Sequence, residues 1–416
     1  MNDYARRTER IMQRIQELAA ISETDQGITR TFGSPAWREA ALTIQGWMQE
    51  AGLHAWIDNI GNVRGRLAAA QPAAKTWVIA SHTDTVPDAG KFDGLLGVVM
   101  GLDVVEQLAL AHTPLPFDIE LIAFSDEEGC RFHTTFLGSQ VVAGTFKYTL
   151  LDSKDAGGHT LRQVIHANGG HESQLPADAL PRQQWLGYFE IHIEQGPVLY
   201  EKQVPVALVK AITGQKRVAL TFTGTGGHAG TVPMDMRCDA LCCAAEFILA
   251  VENTARQHKD KVVATVGQLQ VANAASNVIP GAVTCTLDLR STDEKMLLQV
   301  SNSMQETGAK IAAGRGVTFE WEDVQVTSPV WCDESMNALL SQSIEDTGYP
   351  VLSLTSGAGH DAVAIAAVAP VCMLFVRCFE GISHHPKENV ELKDLTAALQ
   401  VADNFVQRFI SAHSPA

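Results

Sequence analysis

Four apolar runs in this chain end in side chains of the kind that hold divalent cations. The run Trp77-Val78-Ile79-Ala80-Ser81 closes on His82, with Asp84 two residues on and Asp93 beyond a turn that contains Pro87 and Gly90. The run 117–125 leads into Asp126-Glu127-Glu128, and the run 186–193 carries His192 near its end. The run 370–377 is followed by Gly381-Ile382-Ser383-His384-His385-Pro386. Neutral imidazoles and carboxylates are donors that Zn²⁺ and Mn²⁺ take. An aspartate shared by two such ions can bridge them at about 3.5–4 Å, the spacing of hydrolytic two-metal sites. Each residue alone has a plainer reading: His82 as a strand-end histidine, Asp93 as a helix cap, the glutamate pair as a solvated turn. Five donors on four strand ends outweigh those readings: His82, Asp93, one of Glu127 and Glu128, His192 and His384.

Adjacent glutamates do not normally point the same way, which suits a division of labour. One holds metal; its neighbour takes a proton from the activated water and passes it to a leaving nitrogen. Asp84 can accept the second ring N–H of His82 and so fix its tautomer. Cys130, beside the glutamates, reads as a small packing residue in preference to a nucleophile.

Strands and helices must alternate to present these residues together. Apolar periodicity predicts an N-terminal helix through Ile11, Ile15 and Leu18, and a second helix over 35–50 that Gly52 stops. Strands follow near 53–59 and 62–67, then the strand ending at His82, a helix near 94–110 and the strand 117–125. The polar, glycine-rich tract 150–184 yields no elements, and strands near 186–194 and 204–212 come after it. Apolar strands alternating with helices predict an α/β sheet covered on both faces, whose ligands bind outside the carboxyl ends of the strands. Between 213 and 327 the texture changes: strand 217–225, helix 236–256, strands 262–272 and 281–290, helix 293–313, strand 317–326. That β-α-β-β-α-β order is the ferredoxin-like pattern, a small α+β domain in itself. The first texture then resumes, with helices at 333–347, after Gly359 and at 392–411 and strands at 350–354 and 370–377. The expected architecture is an α/β catalytic domain, 1–212 with 328–416, interrupted by an inserted α+β domain, 213–327.

Bulk properties narrow the function. With 416 residues, 46 % of them hydrophobic and 19 % charged, the chain is long enough for two or three domains with ample core. A formal net charge of −16 argues against a nucleic-acid or anionic-membrane surface, and no basic run offsets it. No uninterrupted apolar run spans a bilayer, so no membrane association is expected. The start of the chain lacks a signal-peptide pattern, and the eight cysteines include no CxxC pair. A cytoplasmic protein with reduced thiols is the expectation.

These blocks together closely resemble the amidase/carbamoylase branch of the metallopeptidase family M20. The stretches that carry the likeness are SHTDTVPDAGKFDG (81–94), SDEEGCRF (125–132), HIEQGP (192–197), GGHAGTVPM (226–234), NVIPG with LDLR (277–290), SGAGHDA (356–362) and GISHHP (381–386). They fall in family order over nearly the whole chain. The resemblance implies two divalent ions per subunit, Mn²⁺ or Zn²⁺, held by His82, Asp93 (bridging), Glu128, His192 and His384. It implies Glu127 as general base and Asp84 as the aspartate behind His82. It further implies Gln215, Asn277 and Arg290 on the substrate, Arg290 on its carboxylate, as the bidentate fork of arginine suits. His228 would stabilise the oxyanion from a partner subunit, and the inserted domain would serve as lid and homodimer contact. Gly357-Ala358-Gly359 would bring backbone N–H groups to the ligand.

Where many relatives carry Asn and Thr, this chain has Gly227 and Val232. The form Gly-His-Ala-Gly-Thr-Val-Pro-Met looks more like ureide-degrading members. The implied reaction is hydrolysis of a ureido group near a carboxylate in a small-molecule ureide, allantoate first and N-carbamoyl-L-amino acids second, with ureidoglycolate and ureidopropionate behind them. His385 falls where relatives vary and is read as non-ligating. A dipeptidase of the same fold is disfavoured by HIEQGP and SGAGHDA, and a metal-free binding protein by the complete donor set.

Overall fold

A computed structural model of the chain describes residues 3–71, 74–112 and 114–414. The strands Asp118–Phe124, Thr76–His82, Trp185–Ile193 and Val371–Val376 lie side by side in that order and run parallel. Thr76–His82 and Val371–Val376 are buried along their whole length, as strands in the middle of a covered parallel sheet must be. Antiparallel strands flank these four, Val63–Leu67 and His54–Ile57 on one side and Val206–Ile212 on the other, and the short strands Val330–Trp331 and Ser353–Ser356 adjoin the last to make nine. All four parallel strands deliver their carboxyl ends to one edge.

Side chains alternate across these strands. Trp77, Ile79, Leu121, Phe189, Ile191 and Leu374 join a core with Ile11, Ile15, Ile44, Val99, Leu340, Phe405 and Phe409 of the helices Asp3–Ala19, Pro35–Glu50, Leu95–Leu110, Glu334–Asp346 and Leu392–His413. Trp77 stands at its centre, stacked on Phe409 at 4.2 Å between ring centroids. Arg7 and Arg10 on the first helix reach Asp103 on the helix Leu95–Leu110 at 2.7 and 2.5 Å, tying the two helices together. The tract 150–184 contains the short helices Leu161–Ala167 and Leu175–Asp178, the first opened by a capping box of Thr160 and Gln163.

Two compact units divide the chain, Met1–Lys210 with Trp331–Ala416, and Ala211–Val330. The second has a four-stranded antiparallel sheet ordered Thr318–Thr327, Gly214–Thr223, Ala282–Ser291, Val262–Val271. Its helices Ala240–Gln257 and Glu294–Gly314 are capped by Asp239 and Asp293. They bury Phe247, Val251, Val300 and Met304 against Val218, Leu220, Phe222, Leu287 and Leu289. The α/β reading of the chain holds, with this α+β unit carried between two α/β segments.

Candidate metal centre

His82 is the last residue of its strand, and the next helix begins close against it. Gly94, at φ +66°, opens that helix without a side-chain cap, and a Cβ at Gly94 would stand 2.5 Å from the His82 ring. The carboxylate of Asp93 is therefore not a helix cap. It turns to the sheet edge, where Oδ1 lies 3.6 Å from His82 Nε2 and 3.2 Å from His192 Nε2, the two nitrogens being 3.4 Å apart. Each ring points its Nδ1 at a carbonyl, Asp84 O at 3.1 Å and Ile193 O at 2.9 Å. A carbonyl can only accept, so Nδ1 carries the proton and Nε2 of the neutral ring presents a bare lone pair. Two lone pairs and a carboxylate oxygen thus converge, and Asp93 Oδ1, fully buried, accepts no hydrogen bond. That orphaned oxygen is the mark of a cation site, and these are the donors and spacings that bonds of about 2.0–2.2 Å to one centre need.

The other oxygen of Asp93 faces a second set. Oδ2 lies 3.0 Å from His384 Nε2, which lies 3.3 Å from Glu128 Oε1. Asp93 so offers one oxygen to each set, the arrangement a bridging carboxylate requires. The structure brings all five expected donors together, His82, Asp93, Glu128, His192 and His384. Glu190 and His360 form a further donor group with His192.

Asp84 differs from the expectation in which atom does the work. Its carbonyl meets His82; its carboxylate, 3.6 Å from that ring, accepts instead from the backbone N–H groups of Glu127 (3.0 Å) and Glu128 (3.1 Å). One aspartate therefore orients both the histidine and the glutamate pair. Glu127 lies beside Glu128 and His82, its carboxyl pushed well above the usual range by burial and by Glu128, Asp361 and Asp84, with His82 opposing. A carboxyl whose hold on a proton is strengthened in this way is suited to accept one and pass it on. Cys130 has its thiol pushed up to about 12 by burial and the neighbouring carboxylates, which removes it as a nucleophile.

The four remaining expected residues lie in the second unit as two pairs. Gln215 and Arg290 face each other across the ladder and share Asp288, which takes Arg290 Nε at 2.7 Å and Nη2 at 3.0 Å and also accepts from Gln215. Arg290 thus carries the ion pair that is its plainest role, and this pair fixes the plane of the guanidinium. His228 pairs with Val278, and Ala229 N donates to Asn277 O at 2.9 Å. Gly230 N–H donates to His228 Nδ1 at 3.1 Å, so neutral His228 carries its proton outward on Nε2. Of the Gly357-Ala358-Gly359 segment, the Ala358 N–H is bound by Ser356 Oγ at 3.1 Å and not turned to a ligand. His385 takes the Lys387 N–H on Nδ1 and belongs to no donor group among the described residues.

Sequence reading missed Gln195, Ser383, Glu388 and Asp288. Gln195 sits inside a quoted motif, yet only the fold shows its Nε2 at 2.8 Å from Asp93 Oδ2.

The family described as Peptidase family M20/M25/M40 matches residues 78–408, the span that holds every donor above. The chain belongs to the M20/M25/M40 peptidase family. Among its relatives, allantoate deiminase 1 of Glycine max is 39 % identical over 92 % of this chain and 86 % of its own length. The N-carbamoyl-L-amino acid amidohydrolase of Geobacillus stearothermophilus is 36 % identical over 94 % and 96 %. The crystal structure of an amidase of the hydantoinase/carbamoylase family from Burkholderia multivorans shares the fold at a TM-score of 0.88 and 33 % identity, covering 98 % of both chains. As an M20-family member the chain is a hydrolase of C–N bonds, and family and donor groups together point to divalent metal use.

In this M20-family site protons and cations contest the same atoms. Asp93 and Glu128 push His384 up to about 10, and although burial opposes it, Asp84 and Asp93 raise His82 well above its ordinary value. Without metal a proton therefore sits on His384 at neutral pH, and loading must displace it. Titrating metal-stripped protein with Mn²⁺ in buffers of different ionisation enthalpy is expected to show proton release, with affinity falling as pH falls. A binding heat independent of buffer would contradict this.

Proposed function

We propose that this chain is a binuclear-metal amidohydrolase that removes ammonia from the ureido group of a carboxylate-bearing ureide, with allantoate as its substrate. The observation that carries the reading is the pair of donor sets sharing Asp93, with its partnerless buried oxygen. The likeness to an allantoate deiminase over most of the chain supports the substrate. His82, Asp93 and His192 would hold one cation, and Asp93, Glu128 and His384 the other. Such cations polarise a carbonyl and lower the pKa of water toward about 7. Glu127 takes the proton of the water that attacks the ureido carbon and delivers it to the departing nitrogen as the C–N bond breaks. Ammonia leaves, and the carbamate left behind loses carbon dioxide. Arg290, held flat by Asp288, receives the substrate carboxylate, and Gln215 and Asn277 bond its polar groups. His228 offers Nε2–H to the oxyanion.

The inserted unit would act as lid and as homodimer contact, with His228 supplied by the partner copy. Its edge strand Val262–Val271 carries exposed Val263 and Leu269. All eight cysteines are free, which fits a cytoplasmic setting, and no helix among the described residues is long and apolar enough to cross a membrane.

The test is ammonia release by Mn²⁺-loaded protein from allantoate, ureidoglycolate, N-carbamoyl-L-amino acids and dipeptides. Allantoate is expected to give the highest kcat/KM. Preference for an N-carbamoyl-L-amino acid would move the assignment to the activity in the name of the Geobacillus relative. Cleavage of dipeptides alone would overturn it.

A further inference from the structure

Glu388 lies four residues beyond His384 and is buried, only 3 % exposed. Its Oε1 accepts two backbone N–H groups, of Phe92 at 2.7 Å and of Asp93 at 3.1 Å. Its Oε2 meets Ser383 Oγ at 2.9 Å, and that hydroxyl also lies 3.1 Å from Asp93 Oδ2. One carboxylate thus ties the backbone of Asp93 to the turn that carries His384, across 295 residues of sequence. Room for it is made at Gly90, where a Cβ would stand 2.2 Å from Glu388 Cβ. The turn needs holding: His384 has φ +53°, a left-handed conformation that side chains other than glycine resist.

The two donor sets differ in how they are fixed. His82 and His192 sit on buried strands with Nδ1 bonded to carbonyls. His384 sits on a loop, its side chain 46 % exposed, and its approach to Asp93 Oδ2 is set by what ties the two loops together. We propose that Glu388 is a positioning residue: by clamping the Asp93 backbone to Ser383 it sets the gap between Asp93 and His384, and so the affinity of the Asp93–Glu128–His384 set for its cation. The inference rests on the metal-centre reading above and deepens it.

Calorimetric titration of metal-stripped full-length protein with Mn²⁺ tests it, together with the thermal midpoint of each metal-free variant. Wild type is expected to bind in two steps. Glu388→Ala is expected to weaken one step about 10- to 100-fold, the range for partners that orient metal ligands, and to change the other far less. Glu388→Gln should restore the weakened step: its amide oxygen keeps both backbone N–H groups, and its NH₂ donates to Ser383, freeing that hydroxyl for Asp93. Ser383→Ala, which leaves the backbone clamp whole, should weaken the same step by less. If Glu388→Ala does not fold, Ser383→Ala decides, and two unaltered steps in it overturn the proposal. So does equal weakening of both steps in parallel with a lowered thermal midpoint, the signature of a general structural role. Failure of wild type to bind any cation would sink the metal-centre reading instead, a result distinct from either.

Discussion

Glu127→Gln is expected to keep its metal and lose its turnover. General acid–base catalysis by a placed side chain contributes typically 10²–10⁴-fold, so kcat should fall by about that factor, or about 3–5 kcal/mol of barrier. The substitution leaves the framework alone, because Asp84 holds residue 127 by its backbone N–H at 3.0 Å and not by its side chain. KM should therefore move little. Stability offers an independent check of sign. A carboxyl raised by burial binds its proton more tightly folded than unfolded, so it costs the fold stability once pH exceeds the unfolded value. An uncharged isostere removes that cost, and the metal-free variant at pH 7 should melt no lower than metal-free wild type. Steady-state kinetics, metal content and thermal melts on one preparation check all three. Near-normal kcat would take the base role from Glu127; lost metal would make it a ligand.

What the sequence revealed was whatever depends on local pattern. His82, His192 and the Glu127-Glu128 pair stand at the ends of apolar runs whose strand character is plain from composition, and parallel strands deliver their ends to a common edge. The helices Pro35–Glu50 and Leu392–His413 were equally plain, being long and periodic. Asp93 was legible as cap or ligand, and only the left-handed Gly94 removes the cap reading. That Asp84 lies beside His82 is legible from their spacing, but which of its oxygens meets the ring depends on the path of the loop. Glu388 and Asp288 were invisible for another reason. Glu388 partners backbone N–H groups 296 and 295 residues away, and Asp288 joins Gln215 and Arg290 through a register that pairs distant strands. No local pattern marks such bonds. The helices within 150–184 are too short for periodicity to show, although the Thr160-to-Gln163 capping box was there to be read.

Asp93→Ala should abolish activity and sever stability from metal, because it removes one oxygen from each donor set at once. A ligand that binds only the folded chain stabilises it by about 2.7 kcal/mol at a hundredfold excess over Kd. Wild type is thus expected to melt markedly higher with Mn²⁺ or Zn²⁺ than after chelation, and Asp93→Ala at one temperature under both conditions. His384→Ala separates the sets: it keeps His82, Asp93 and His192 intact, so it should retain one cation and part of the thermal gain while losing turnover. If Asp93 merely closed a structural ion-pair cluster with the three histidines, its loss would lower the melting point of metal-free protein and leave the response to added cation unchanged. The two accounts predict opposite rankings, and melts with and without chelator distinguish them. Retention of two cations by Asp93→Ala would refute a carboxylate shared between two sites and, with it, the reason for the oxygen that accepts no hydrogen bond.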